Sequence, residues 1–255
     1  MGVFARYSRY LLFMTSPINA YTDDTLLDGR VRVRQPTNGY RVAVDPVLLA
    51  SAVPACAGQQ VLDAGCGTGA AMFCLAARVP DVQITGVELQ DVLADYARAG
   101  ITLNARDATA RVVTGNIANT GTDFFDIVMT NPPFGAEGTP PPDASRARAH
   151  MESDIGLAAW IGFCLAALKP KGRIVMIHRA DRLTDILAGL EGRAGDIRIR
   201  PIYPKLGQPA RRVIVDAGKG RRSPDTLLPG LVLHRDDGAF TAEAEAVLRA
   251  GAALA

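Results

Sequence analysis

The sequence predicts an α/β fold: a mostly parallel sheet with helices on both faces, closed by an antiparallel pair. Three observations carry that prediction. Short apolar runs alternate with helix-period segments from Gln60 to Arg179, the pattern of a parallel sheet covered on both sides. The first run feeds a glycine-rich turn, Gly65-Cys66-Gly67-Thr68-Gly69, and then a helix. Near the end, Ile197–Tyr203 and Ala210–Asp216 are strand-like and joined by Pro204–Pro209, too short for a crossover helix, so they form a hairpin.

Asp45-Pro46 reads as an N-cap with proline at the first helical position, and Val47, Leu48, Leu49 and Val53 form the buried face of that helix. Val61–Ala64 is a short buried strand and Ala70–Arg78 a helix. Val82–Val87 is a second strand ending in Glu88, and Ala110–Thr114 a third. Phe124–Met129 is a fourth, running into Asn131-Pro132-Pro133-Phe134. Ile155–Leu168 has apolar residues at helical spacing and stops at a turn, Lys169-Pro170-Lys171-Gly172, before the strand Arg173–His178 and the helix Ala180–Leu190. After the hairpin, the tail from Gly218 reads as a loop, a short extended stretch Gly230–His234, and a helix from Thr241.

With 255 residues and 48% hydrophobic content, the chain can bury the core of one large α/β domain, expected over 35–217. Residues 1–34 precede it, and 218–255 are expected to pack on it as an extension. Residues 1–13 differ in character from the rest of the chain, so Met14 is expected as an alternative start. The cysteines at 56, 66, 74 and 164 make no C-x-x-C pair and show no metal spacing with His150, His178 and His234, which fits a reducing cytoplasm and no metal. No apolar stretch approaches the ~20 residues of a membrane span.

Two motifs carry chemistry. A planar exocyclic amine is a poor nucleophile because its lone pair is delocalised. Two acceptors aimed at its N–H groups, the Asn131 side-chain oxygen and the Pro132 carbonyl, would favour a tetrahedral nitrogen in the transition state. Consecutive prolines stiffen the loop, and Phe134 offers a flat face for a planar substrate, with Pro133 beside it. The same residues also make an ordinary stiff turn. In the second motif, glycines alternate at 65, 67 and 69 behind Asp63. A pyrophosphate would disfavour a carboxylate there, so Asp63 points to a cationic ligand. S-adenosylmethionine, with an ammonium and a sulfonium, fits. Glu88, at the tip of the second strand, can grip ribose hydroxyls, or be a solvated strand-end acid. Asn116 and Ile117 fall where a side chain and a backbone N–H can read an adenine ring.

In this order, Asp63-Ala64-Gly65-Cys66-Gly67-Thr68-Gly69, Glu88 and Asn131-Pro132-Pro133-Phe134 resemble the class I S-adenosylmethionine-dependent methyltransferases of the amino-methylating group, over residues 35 to 217. Within that group the chain looks most like the bacterial tRNA adenine-N6 methyltransferases acting on adenine 37 of a valine tRNA. Gln35, Gly39-Tyr40-Arg41 and Asp45-Pro46-Val47-Leu48-Leu49-Ala50 carry the narrower likeness, with Ile177-His178-Arg179 and Tyr203-Pro204. The resemblance implies a Rossmann-like seven-stranded sheet and conversion of S-adenosylmethionine to S-adenosylhomocysteine. It also implies cofactor roles for Gln35, Tyr40 and Asp45, and for Ala64 and Leu89 beside the glycine loop and Glu88. Asp45 can equally do no more than cap its helix, and Tyr40 can equally be core.

The resemblance implies a tRNA partner, although the net charge is only +2. From Glu191 to Arg222, nine basic residues face three acids, a candidate phosphate-tracking patch that includes Arg211 and Arg212. The alternative is the solvated face of an edge hairpin. Gly135–His150, following Asn131 directly, is expected to fold over the substrate with Arg146 and Arg148 on phosphates, or else to be a solvated loop. Two competing functions are glutamine methylation on a protein such as a release factor, where the motif usually ends in Tyr, and a noncatalytic cofactor- or RNA-binding module. Phe134 leans towards a base. Oligomeric state has no signature in the sequence.

Overall fold

A computed structural model of the chain describes residues 20–38, 41–119, 125–133 and 156–254. It opens on a hairpin, β1 (Tyr21–Leu26) against β2 (Val31–Pro36). Sequence reading missed this pair, although two signals were present. Asp28-Gly29 is a hairpin dipeptide, and Val-Arg-Val-Arg alternates with period two; Val31 and Val33 are buried, Arg32 exposed.

The main sheet contains β3 (Gln60–Ala64), β4 (Gln83–Glu88), β5 (Ala110–Thr114), β6 (Phe125–Thr130), β7 (Leu168–Arg179), β8 (Ala194–Lys205) and β9 (Arg212–Lys219). Their order is β8-β9-β7-β6-β3-β4-β5, parallel except for β9, which runs antiparallel to both neighbours. These are the seven expected strands with the expected closing hairpin. Two short strands from the tail, β10 (Thr226–Leu227) and β11 (Leu231–His234), pair in parallel with β8 and bring the sheet to nine.

Strand alternation divides the apolar residues between two cores. Val61, Ile127, Met129, Val175, Ile177 and Ile214 face α1 (Asp45–Ala52), α2 (Ala70–Arg78), part of α3 (Asp91–Leu103) and α6 (Ala242–Leu248). Leu62, Val128, Ile174, Met176 and Val215 face α4 (Leu157–Ala167) and α5 (Leu183–Leu190). Burying two layers this way is what a sheet of near-continuous apolar strands requires.

Two local readings change. Lys169–Gly172, expected as a turn, lies within β7, because the chain bulges there instead of leaving the sheet. Lys171 has φ 64°, and a Cβ at Gly172 would lie 2.9 Å from the Asp126 carbonyl. Asp45 does not cap α1. Val44 precedes the helix in helical geometry, and the Asp45 carboxylate instead accepts from Arg212 Nε at 2.8 Å.

Candidate active site

Strand register gathers the motifs at the carboxyl ends of β3, β4 and β6. Ala64 lies opposite Val87 on one side and Thr130 on the other. One step further up, Gly65, Glu88 and Asn131 stand side by side, with β3 in the middle. At about 4.8 Å between strands, Glu88 and Asn131 are about 10 Å apart. This is the crevice beyond strand ends where α/β sheets bind ligands.

The glycine turn needs its glycines. Gly65, Gly67 and Gly69 have φ of 74°, 55° and 84°, a region that side chains rarely tolerate. A Cβ at Gly69 would also lie 2.6 Å from Phe73. The backbone N–H groups of Gly65 and Cys66 both donate to Val87 O, at 2.9 and 3.0 Å, drawing the loop across β4. Glu88, buried, accepts from Gly67 N at 2.8 Å on one carboxylate oxygen and from Gln90 N at 3.0 Å on the other. Each oxygen has two lone pairs, so capacity remains for hydroxyl donors. Burial raises the Glu88 pKa above its usual value, and these backbone donors oppose the rise.

Asp63 lies beneath the loop, 2% exposed. Burial first, then the Glu88 charge, pushes its pKa up to about 7, against a backbone bond from Met72. Its Oδ2 has no hydrogen-bond partner among the described residues, and neither do Thr68 Oγ1 and Asn131 Oδ1. An unsatisfied buried acceptor costs about 1–3 kcal/mol. All three belong to the glycine-turn segment or the residue after β6, where a polar guest could satisfy them.

Beside them is a cavity lined by Gly65, Val87, Leu89, Gly115, Asn116, Ile117 and Trp160. Leu89 is 46% exposed, an apolar side chain held open at the rim. Asn116 Oδ1 accepts from Ala118 N at 2.9 Å and shapes the turn, and the residue lines the cavity. Trp160 was not singled out from sequence, because it sits inside an apolar helical stretch that reads as core. The cavity walls are mostly apolar, with Asn116 as the one polar side chain in the lining among the described residues, and the acidic and amide groups of Asp63, Glu88 and Asn131 stand at or just below the neighbouring strand ends. The residues therefore fit S-adenosylmethionine. No group of three or more metal-ligating side chains occurs among the described residues.

Other expected site residues are engaged elsewhere. Gln35 is buried; its amide nitrogen donates to Asp24 and its oxygen accepts from Val42 N at 2.9 Å, so it shapes the segment leading to α1. Asp45 is taken by Arg212. The basic stretch separates along the hairpin. Lys205, Arg211 and Arg212 lie at the crevice end. Arg193, Lys219, Arg221 and Arg222 lie at the opposite end and Arg198 lies between, opposite Asp216; Asp196 and Asp216 bind Arg173 at 2.6 Å each, and Asp196 also meets Arg198 and Arg221. The seven residue steps of β9 from Arg212 to Lys219 span about 23 Å. Arg200 is buried and donates to Pro229 O. Tyr40, Phe134, Arg146 and Arg148 lie outside the described residues, as do the segments 1–13 and 135–150.

The family model for the methyltransferase small domain matches residues 41–148. Two Porphyromonas gingivalis proteins named tRNA1(Val) (adenine(37)-N6)-methyltransferase are similar. One is 30% identical over 171 residues, covering 62% of this chain and 66% of its own. The other is 33% identical over 160 residues, covering 57% and 61%; the chain thus spans less than two thirds of either relative. An Aeromonas hydrophila protein of the same name is 26% identical, with coverage of 79% and 85%. Among solved structures, a predicted O-methyltransferase from Agrobacterium tumefaciens superposes with TM-score 0.69 at 27% identity, covering 82% of this chain and 98% of its own. A Thermus thermophilus 16S rRNA N2 G1207 methyltransferase shares the fold, with TM-score 0.55, 21% identity and coverage of 78% and 50%. This strand order and glycine turn give the chain the class I S-adenosylmethionine-dependent methyltransferase fold, and the match to the methyltransferase small domain makes it similar to that family over 41–148.

Proposed function

We propose that the chain transfers a methyl group from S-adenosylmethionine to the N6 amine of an adenine in tRNA, position 37 of a valine tRNA, with residues 35–217 as the catalytic domain. The observation that carries this reading is the buried Asn131 Oδ1 without a partner, one residue past the end of β6. A carboxamide oxygen there accepts an N–H and has no strong basicity of its own, which suits an amine better than a hydroxyl. The names of the Porphyromonas and Aeromonas relatives support adenine in tRNA.

The cofactor supplies an electrophilic methyl on a sulfonium. Glu88 holds the ribose hydroxyls, and the cavity walls Leu89, Ile117 and Gly65, with Ala64 below, hold the adenine that Asn116 reads. Asp63 offsets the positive charge, directly or through the turn formed by Gly67 and Gly69. Asn131 Oδ1 and the Pro132 carbonyl accept the two amine N–H groups. As the nitrogen becomes tetrahedral these bonds strengthen, which lowers the barrier without a general base. The new ammonium is a strong acid and loses a proton to water. Pro133 and Phe134 flank the substrate ring. Arg211, at the crevice end and exposed, contacts the RNA backbone, and Arg146 and Arg148 are proposed to do the same. Arg212, Asp45, Gln35 and Tyr40 shape the approach.

Incubation with methyl-labelled S-adenosylmethionine and either unmodified tRNA or release factor tests the assignment, with the labelled nucleoside identified by mass spectrometry. N6-methyladenosine at one tRNA position is expected. Label on protein glutamine, on a ribose hydroxyl, or nowhere would each refute it.

A further inference from the structure

The Trp160 side chain touches both halves of the site. Its indole lines the cavity with Gly65, Leu89, Asn116 and Ile117, and its ring carbons are 3.1 Å from where a Cβ at Gly65 would stand. Glycine at 65 is therefore required twice, for its backbone angle and to admit this ring. The indole Nε1–H donates to Thr130 Oγ1 at 3.0 Å, and that hydroxyl donates onward to the Ala64 carbonyl at 2.8 Å. Thr130 is fully buried and immediately precedes Asn131.

The hydroxyl has one proton and it is given to Ala64, so its lone pair is what meets the indole. The chain indole, Thr130, Ala64 is thus directional and fully satisfied, and such buried networks fix geometry. It pins the last residue of β6 to the last residue of β3 at the level where the cavity ends and the Asn131 loop begins. A phenylalanine in place of Trp160 would fill much of the same space and could not make the bond.

We propose that Trp160 is a positioning residue that couples an occupied adenine cavity to the placement of the Asn131 acceptor, acting through Thr130. This deepens the methyl-transfer reading and rests on it for its kinetic consequence. The cavity wall and the relay to Thr130 are physical claims that stand without it.

Trp160 is the only tryptophan in the chain, so its emission reports on the cavity directly. Titration of S-adenosylhomocysteine into the wild-type protein should change the emission saturably, with the midpoint that calorimetry gives. In the same titration, hydrogen exchange at the Thr130 and Asn131 amides should slow, and Trp160→Phe should lose that slowing while binding within about threefold of wild type. With tRNA at saturating cofactor, Trp160→Phe and Thr130→Val should each lower kcat about tenfold or more. Because both break the Trp160–Thr130 bond, the double variant should be no slower than the slower single. Unchanged emission on binding overturns the wall. Exchange that still slows in Trp160→Phe, unaltered kcat, or additive losses in the double variant overturn the coupling. If the wild-type protein methylates no tRNA, the functional reading falls while emission and exchange still decide the proposal.

Discussion

Asp63 makes cofactor affinity depend on pH, and the dependence can be worked from its surroundings. In the ligand-free protein its carboxyl titrates at about 7, raised by burial and by the Glu88 charge from an ordinary 3.8. An acid raised in this way favours the folded protein at low pH, and that contribution is lost as pH rises from the ordinary value through about 7. A cationic ligand reverses the preference, because it gains from the ionised carboxylate. At pH 6 about one tenth of Asp63 is ionised and at pH 8 about nine tenths, so S-adenosylmethionine should bind about tenfold more weakly at pH 6. Binding at pH 6 should release nearly one proton. Calorimetry at both pH values, in two buffers of different ionisation heat, measures each quantity. Asp63→Asn, which cannot titrate, should flatten that part of the dependence. A tenfold slope surviving in Asp63→Asn, or no slope in the wild type, would refute the reasoning.

Asn131→Ala should lower kcat at least a hundredfold while S-adenosylhomocysteine affinity stays within about threefold, since the acceptor acts mainly in the transition state; single-turnover kinetics beside calorimetry read the split. Gly65→Ala should weaken cofactor binding tenfold or more, because the methyl meets Trp160 and the backbone angle is unfavourable; a circular dichroism melt separates this from unfolding. Arg211→Ala should weaken tRNA binding and reduce the salt slope by about one, whereas Arg222→Ala, beside the far end of the hairpin, should leave that slope unchanged; filter binding across salt concentrations distinguishes them.

The parallel sheet and its crevice were legible because apolar runs, glycine turn and strand-end acids occur in an order that chain direction converts into space. Gly65, Glu88 and Asn131 are distant in sequence, yet each ends or follows a parallel strand, so register alone aligns them. Trp160 was not legible, since nothing local distinguishes a cavity wall from a core residue inside an apolar helix. The basic stretch misled for a related reason. Charge close in sequence is not close in space when an extended strand carries it, and Arg200 and Arg221 turn out to be bound to the protein's own carbonyl oxygens. Asp45 and Arg212, read as separate contacts, neutralise one another across 167 positions, a pairing no local pattern announces.

The two short strands beside β8 bear on solubility. Without them the closing hairpin would present an open edge along a twelve-residue strand, with Ile197, Ile199 and Ile202 in it, a template on which another chain could polymerise. β10 and β11 cover it in two brief pieces of two and four residues, separated by Leu228-Pro229-Gly230 and too short to recruit a further strand. The tail thereby acts as a guard against self-assembly, and its removal should lower the concentration at which the protein precipitates even where methyl transfer survives.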